Sequence, residues 1–194
     1  MDEARRQTIL SACERLLQRY GPQKTTMQDV AREAGIAVGS VYLEFESKEA
    51  ILHELSNRKH QGILALVERE LRAERAYQER IRAAIDARTE AYFAIEDAGL
   101  HARDLVHCGH AAVTAAHATF KEAEHALFTA ALRAGARRGE LDAPRPAVTA
   151  RGVLVAYARF TPPWLFSAPR DETKTLLASV HKLVLFGLVK RSPL

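Results

Sequence analysis

Little in this 194-residue chain invites covalent or redox chemistry. Its two cysteines, Cys13 and Cys108, have no paired spacing. No disulfide framework is therefore expected, and both read as small core residues in apolar helical patterns, suited to a reducing cytoplasm. The opening Met1-Asp2-Glu3-Ala4-Arg5-Arg6 is charged and lacks the apolar core of an export signal. Long hydrophobic runs are missing too. The most apolar late stretch, residues 176–189, is interrupted by His181 and Lys182 and falls short of a membrane span. Strand-like alternation of Val, Ile and Thr is nearly absent. With Ala, Leu and Arg abundant, that absence predicts an all-α fold. There is no nucleophile elbow, phosphate loop or paired-carboxylate motif, so the chain does not read as an enzyme, and no cofactor is expected.

A basic surplus is lacking where a nucleic-acid binder would be expected to need it. The net charge is +4 and the pI near 9.2. Residues 1–60 nevertheless hold nine Lys/Arg against nine Asp/Glu. The excess lies further on, so any case for DNA binding must rest on geometry.

That geometry is written into the first fifty residues. Ile9, Cys13, Leu16, Leu17 and Tyr20 form one apolar helical stripe, stopped by Gly21-Pro22. Thr26 and Asp29 fit a capping box, so a helix is predicted over residues 27–34, with Val30, Ala31 and Ala34 buried. Gly35 stands where a tight turn needs positive φ. A second short helix over residues 38–45 buries Val41 and Phe45. Ser47 then caps a fourth helix, with Glu49 in its first turn. The outcome is a helix-turn-helix at about residues 26–45, with one short helix facing outward.

The run Ala31-x-x-Ala34-Gly35-Ile36-Ala37-x-Gly39-Ser40-Val41-Tyr42-x-x-Phe45-x-Ser47-Lys48-Glu49-x-Ile51-Leu52 resembles the signature of the tetracycline-repressor (TetR) family. The resemblance implies a dimeric, all-helical bacterial regulator, usually a repressor released by a small ligand. It implies a three-helix head at residues 1–50 and a helical effector-binding and dimerisation bundle at 51–194. The short helix would enter the major groove of a near-palindromic operator. Tyr42 and Lys48 would then meet backbone phosphates, and Thr26 would meet another through its hydroxyl or its helix N-terminus. Ala37, Val38, Gly39, Ser40 and Leu43 would face base edges. These are small or apolar, which favours thymine-methyl contact and close backbone approach over arginine–guanine forks. Glu44 departs from the family, which usually carries His or Tyr there. Its carboxylate would repel phosphate unless turned away onto a cation such as Arg5 or Lys48.

The remaining helices are predicted at residues 50–72, 77–98, 103–118, 121–138, 146–160 and 172–190, the first weakened at Gly62. Leu176, Val180, Leu183, Val184 and Gly187 share a face, and Val153, Leu154, Tyr157 and Phe160 supply another. Those faces suit either an internal core or a homodimer interface, which the resemblance favours. If 103–118 is one helix, His107, His110 and His117 share a side of it. They read as incidental polar residues, as the wall of a ligand pocket, or as a metal site. Tyr92, Phe93, Phe128, Tyr157, Phe160 and Trp164 either line an apolar effector cavity or fill a solid core. Two rival functions stay open. One is a helical protein-interaction dimer with a DNA-inactive head; the other is a histidine-based metal-dependent enzyme.

Overall fold

A computed structural model of the chain describes residues 2–188. All repeating structure among them is helical. In chain order the helices are α1 (Glu3–Tyr20), α2 (Met27–Ala34), α3 (Val38–Glu44), α4 (Lys48–Arg72), α5 (Tyr77–Asp97), α6 (Ala111–Arg137), α7 (Pro146–Ala156) and α8 (Arg170–Leu188). Short 3-10 turns occupy Ala102–Leu105, Ala158–Phe160 and Trp164–Ser167. The expected end of the last helix, at Lys190, lies outside the described residues.

The helices form two compact units. The first comprises the residues up to Gln61 together with Phe93–Thr119; the second comprises Gly62–Tyr92 and the residues from Phe120 onward. The first unit is built on the stripe of α1. Ile9, Leu10, Cys13 and Leu17 are buried against Val30, Ala31, Val41, Phe45, Ile51, Leu52 and Leu55. Each Val, Leu, Ile or Phe side chain among them contributes about 1.5–3 kcal/mol when taken from water. Leu105, from the 3-10 turn before α6, belongs to the same core. The same turn region is tied to α1 by the His101 N–H, which donates to the Gln18 carbonyl at 3.1 Å. Tyr20, expected on the stripe, stays largely exposed.

The second unit buries Ile81, Ile85 and Tyr92 of α5, Phe128 and Leu132 of α6, and Val153, Tyr157 and Phe160 in and after α7. Charge is buried with them. Arg88 Nη1 lies 2.8 Å from Glu124 Oε1, both side chains almost wholly enclosed.

Several expectations need correction. Residues 103–118 and 121–138 are not two helices, because α6 runs unbroken across 118–121. That stretch, Ala118-Thr119-Phe120-Lys121, carries no glycine or proline to stop a helix. The interruption falls instead at residues 106–110, around Gly109, so Cys108 lies in that break and not in a helix. The helix expected over 146–160 ends at Ala156 and continues as a 3-10 turn, and the apolar segment at Trp164 is also a 3-10 turn. Gly62 does not interrupt α4.

Two glycines should respond oppositely to alanine. At Gly62 an added Cβ meets nothing within 4 Å, whereas at Gly135 it would lie 2.6 Å from Leu141 Cδ1 and 2.9 Å from Tyr77 Cγ. Gly62→Ala is expected to stabilise by about 0.5–1 kcal/mol through helix propensity. Gly135→Ala is expected to destabilise by about 1–3 kcal/mol through overpacking. Urea unfolding of the two variants would show midpoints moving in opposite directions.

Candidate nucleic-acid interface

The segment from Thr26 to Lys48 is fixed by local chemistry at each end. Thr26 Oγ1 accepts from the Asp29 N–H at 3.2 Å, and the Thr26 N–H donates to Asp29 Oδ2 at 3.1 Å. The Thr26 hydroxyl also donates to that carboxylate oxygen at 2.6 Å. These bonds, with Arg32 beside them, hold the Asp29 carboxyl below its ordinary range. The cap thus occupies the amides of Thr26 and Asp29, leaving those of Met27 and Gln28 without an intrahelical acceptor. The proton of the Thr26 hydroxyl is committed to the cap.

At the other end of α2, Gly35 sits at φ 69° and ψ 29°, in the left-handed region. Its N–H donates to Arg32 O at 3.2 Å, and the Ile36 N–H reaches Ala31 O at 3.1 Å. This is the Schellman closure, and it turns the chain sharply into α3. Val41 is then fully buried and Phe45, the residue after α3, nearly so. The opposite side is open: Ala37 and Gly39 are exposed, Val38 is 41% exposed, Tyr42 53% and Leu43 79%. Ser40 is half-buried. Six of the eight residues expected at DNA therefore lie along one short segment, five of them exposed. Of the other two, Thr26 stands at the start of α2 and Lys48 at the start of α4. Lys48 Nζ donates to the Pro22 carbonyl at 2.9 Å, which holds its ammonium near the head. Ser47 Oγ caps α4 by accepting from the Ala50 N–H at 3.1 Å.

Glu44 is turned onto the start of α1. Its Oε1 is 3.7 Å from Arg5 Nη1 and 3.4 Å from the Asp2 N–H. The Arg6 guanidinium donates to the Glu44 carbonyl at 3.0 Å and lies 4.0 Å over the Phe45 ring. Of the two cations considered for Glu44, it is Arg5 that takes the carboxylate, and Lys48 is engaged elsewhere.

The expected pocket residues do not share one setting. Tyr92, Phe128, Tyr157 and Phe160 are buried in the second unit. Phe93 is buried in the first unit, and Trp164 is 60% exposed. His107 and His110 precede α6, so they cannot share a helix face with His117; the break at Gly109 undoes that geometry. His110 lies 3.7 Å from Glu49, while His117 Nδ1 is 3.3 Å from His60 Nε2.

Sequence reasoning missed the polar groups buried in each unit. In the second, Tyr157 Oη is 2.8 Å from His181 Nδ1, whose Nε2 is 2.8 Å from Asp86 Oδ1. Arg88 and Glu124 form the buried pair already described. In the first, His60 Nδ1 is 3.0 Å from the Ser56 carbonyl. A carbonyl only accepts, so that ring nitrogen carries the proton and Nε2 receives the bond from His117. A signal existed: Arg88, Glu124, His60 and His181 each interrupt an otherwise apolar helical stripe.

The head matches the family model for bacterial regulatory proteins of the tetR family over residues 9–55. A curated HTH-type transcriptional regulator of Haemophilus influenzae is 31% identical over 74 residues, which span 38% of this chain and 40% of that protein. The chain thus spans well under half the length of that relative. Solved structures agree in fold across nearly the whole chain. The SmeT–triclosan complex aligns at a TM-score of 0.66 and 21% identity, covering 98% of this chain and 99% of that one. The regulator PfmR of Thermus thermophilus aligns at 0.63 and 22%, covering 95% and 96%. FadR of Bacillus subtilis, solved with stearoyl-CoA, aligns at 0.69 and 18%, covering 93% and 98%. These likenesses establish a helix-turn-helix head joined to a helical body. Residues 9–55 thus match the tetR family of bacterial regulatory proteins, and the fold of the whole chain is like that of the solved regulators named above.

The burial of His60 beside His117 makes acid sensitivity a direct consequence. Burial, and then the neighbouring His117, lowers His60 from 6.5 to about 4. The unfolded chain binds that proton more readily than the folded one. Stability is therefore complete above about pH 6.5 and falls as pH drops towards 4, by roughly 2–3 kcal/mol in all. In His60→Gln this part of the decline should be missing. Urea titrations at pH 7 and 4.5 would show it; equal pH slopes in both proteins would contradict it.

Proposed function

We propose that this chain is a sequence-specific, DNA-binding transcriptional regulator. In this reading it is a cytoplasmic homodimeric repressor that a small apolar effector releases from its operator. The observation that carries the reading is the two-sidedness of α3: Val41 is buried while Tyr42 and Leu43 stand in solvent. A short helix held from behind in this way can enter a major groove. Tyr42 and Lys48 supply phosphate contacts, and the free amides of Met27 and Gln28 supply another at the start of α2. Val38, Ser40 and Leu43 meet base edges, and Ala37 and Gly39 let the backbone approach.

Dimerisation is supported by apolar surface that the second unit leaves open. Leu176, Leu183 and Phe186 of α8 are exposed, as are Val148 and Val155 of α7. Gly152 and Gly187 are open as well, with nothing within 4 Å of an added Cβ. The α8 side of this face follows the sequence expectation. The α7 side does not: Val153, Tyr157 and Phe160 point into the core, and Val148, Gly152 and Val155 are exposed instead. Among the described residues no helix is long and apolar enough to cross a membrane. SmeT was solved with triclosan and FadR with stearoyl-CoA, ligands that each carry a large apolar portion, which supports an effector with an apolar body here.

Gel-shift titration with DNA from upstream of the chain's own coding region tests the reading. Two chains per site, with affinity falling steeply as salt rises, is the expected result. Tyr42→Phe should weaken binding to all sequences alike, by about three- to tenfold. Glu44→Gln should tighten it about two- to fivefold, because it removes a carboxylate near phosphate and releases Arg5. Binding that ignores salt and both substitutions would point to a head serving protein contact.

A further inference from the structure

Four buried hydrogen-bond donors of the second unit have nothing to receive them among the described residues: the Thr129 and Thr173 hydroxyls and, as neighbours on α5, Arg88 Nε and the Tyr92 hydroxyl. Arg88 is about 1% exposed and Tyr92 is fully buried, yet among the described residues Arg88 Nε and the Tyr92 hydroxyl have no hydrogen-bond partner. They stand one helical turn apart on α5, so their side chains share a face. Glu124 of α6 is close enough to act on both. It takes Arg88 Nη1 at 2.8 Å and, after burial itself, is the next cause raising the Tyr92 phenol. A further guanidinium nitrogen, Nη2, lies 3.5 Å from the Tyr157 carbonyl. Ile85, Phe128 and Phe160 are buried in the same unit.

Native interiors rarely leave such donors unmatched, since each one costs its full desolvation. What is missing is an acceptor. We propose that the second unit binds a largely apolar, uncharged molecule through one carbonyl-type oxygen, received by Arg88 Nε–H and Tyr92 O–H. This rests on the effector reading above and gives it a chemical class. The charge of the ligand follows from Glu124. Arg88 is already neutralised there, so a carboxylate would have to break a buried ion pair and remain beside the displaced Glu124. A cation would meet two donors. A ketone, ester or lactone meets neither obstacle, and its hydrocarbon body suits the apolar side chains buried around α5 and α6.

The test compares full-length wild type with Tyr92→Phe by calorimetric titration. The probes are benzophenone with its hydrocarbon counterpart diphenylmethane, acetophenone with ethylbenzene, and the anion diphenylacetate. Tyr92→Phe is expected to weaken binding of at least one ketone about tenfold while leaving its hydrocarbon within about twofold. Diphenylacetate should bind more weakly than benzophenone. Without ligand, Tyr92→Phe should melt no lower than wild type, because its hydroxyl has no partner to lose. Ketone affinity unmoved by the substitution would overturn the proposal, as would tighter binding of the anion or a lowered melting temperature. Those results would leave an effector site standing with different chemistry. Failure of every probe to bind would overturn this inference and the effector reading together.

Discussion

The outward face of this protein's head depends on how Val41 and Phe45 are buried. Helix α3 has seven residues, too few to be stable alone in water. Its N-cap, Ala37, makes no side-chain hydrogen bond, so capping does not hold it. Packing does. Val41 and Phe45 are clamped into the cluster built by α1, α2 and α4, and the left-handed Gly35 sets the entry angle. With that side anchored, the 3.6-residue period sends Tyr42 and Leu43 the other way. The outward face needs no interaction of its own.

The same head meets its charge problem by pairing within itself. It has no surplus of cations to attract DNA from a distance, and Glu44 would add repulsion at close range. Instead Glu44 lies on Arg5 and beside the Asp2 N–H, so one carboxylate and one guanidinium withdraw together. The Glu44 side chain is only 4% exposed against 42% for Arg5, and the pair matters through where it leaves charge. Lys48, held by the Pro22 carbonyl, remains as a positioned cation of the segment. Affinity must come from fitted contacts more than from long-range attraction.

The head was legible because its signals are local. Thr26 with Asp29, Gly35, and Ser47 before Ala50 each act within a few residues, and each forms the bond its spacing anticipates. The exposure of Tyr42 and Leu43 follows from the apolar pair opposite them. The body was less legible for the converse reason. The sequence pattern predicts a helix break near Phe120, where no breaker exists, and a continuous helix at Gly109, where the break falls. That error put His107 and His110 on a helix they do not join. The buried pair Arg88–Glu124 and the half-buried pair Asp86–His181 bridge 36 and 95 residues of chain, separations no periodicity encodes. The α7 face was misassigned because both sides of that helix are apolar, and composition alone cannot say which one the core takes. Charged residues interrupting apolar stripes were the cue to the interior chemistry.

The central claim is that α3 is anchored from behind so that its open side meets DNA. It is tested most directly by placing a thiol at Leu43, the most exposed apolar position on that helix, with the half-buried Cys108 replaced by Ser so that only the buried Cys13 remains of the native thiols. In Leu43→Cys, maleimide labelling read by mass spectrometry should be fast in the free protein and strongly slowed by promoter DNA. It should stay fast with unrelated DNA at the same salt. Slow labelling without DNA, or equal labelling with and without the promoter, would contradict the account.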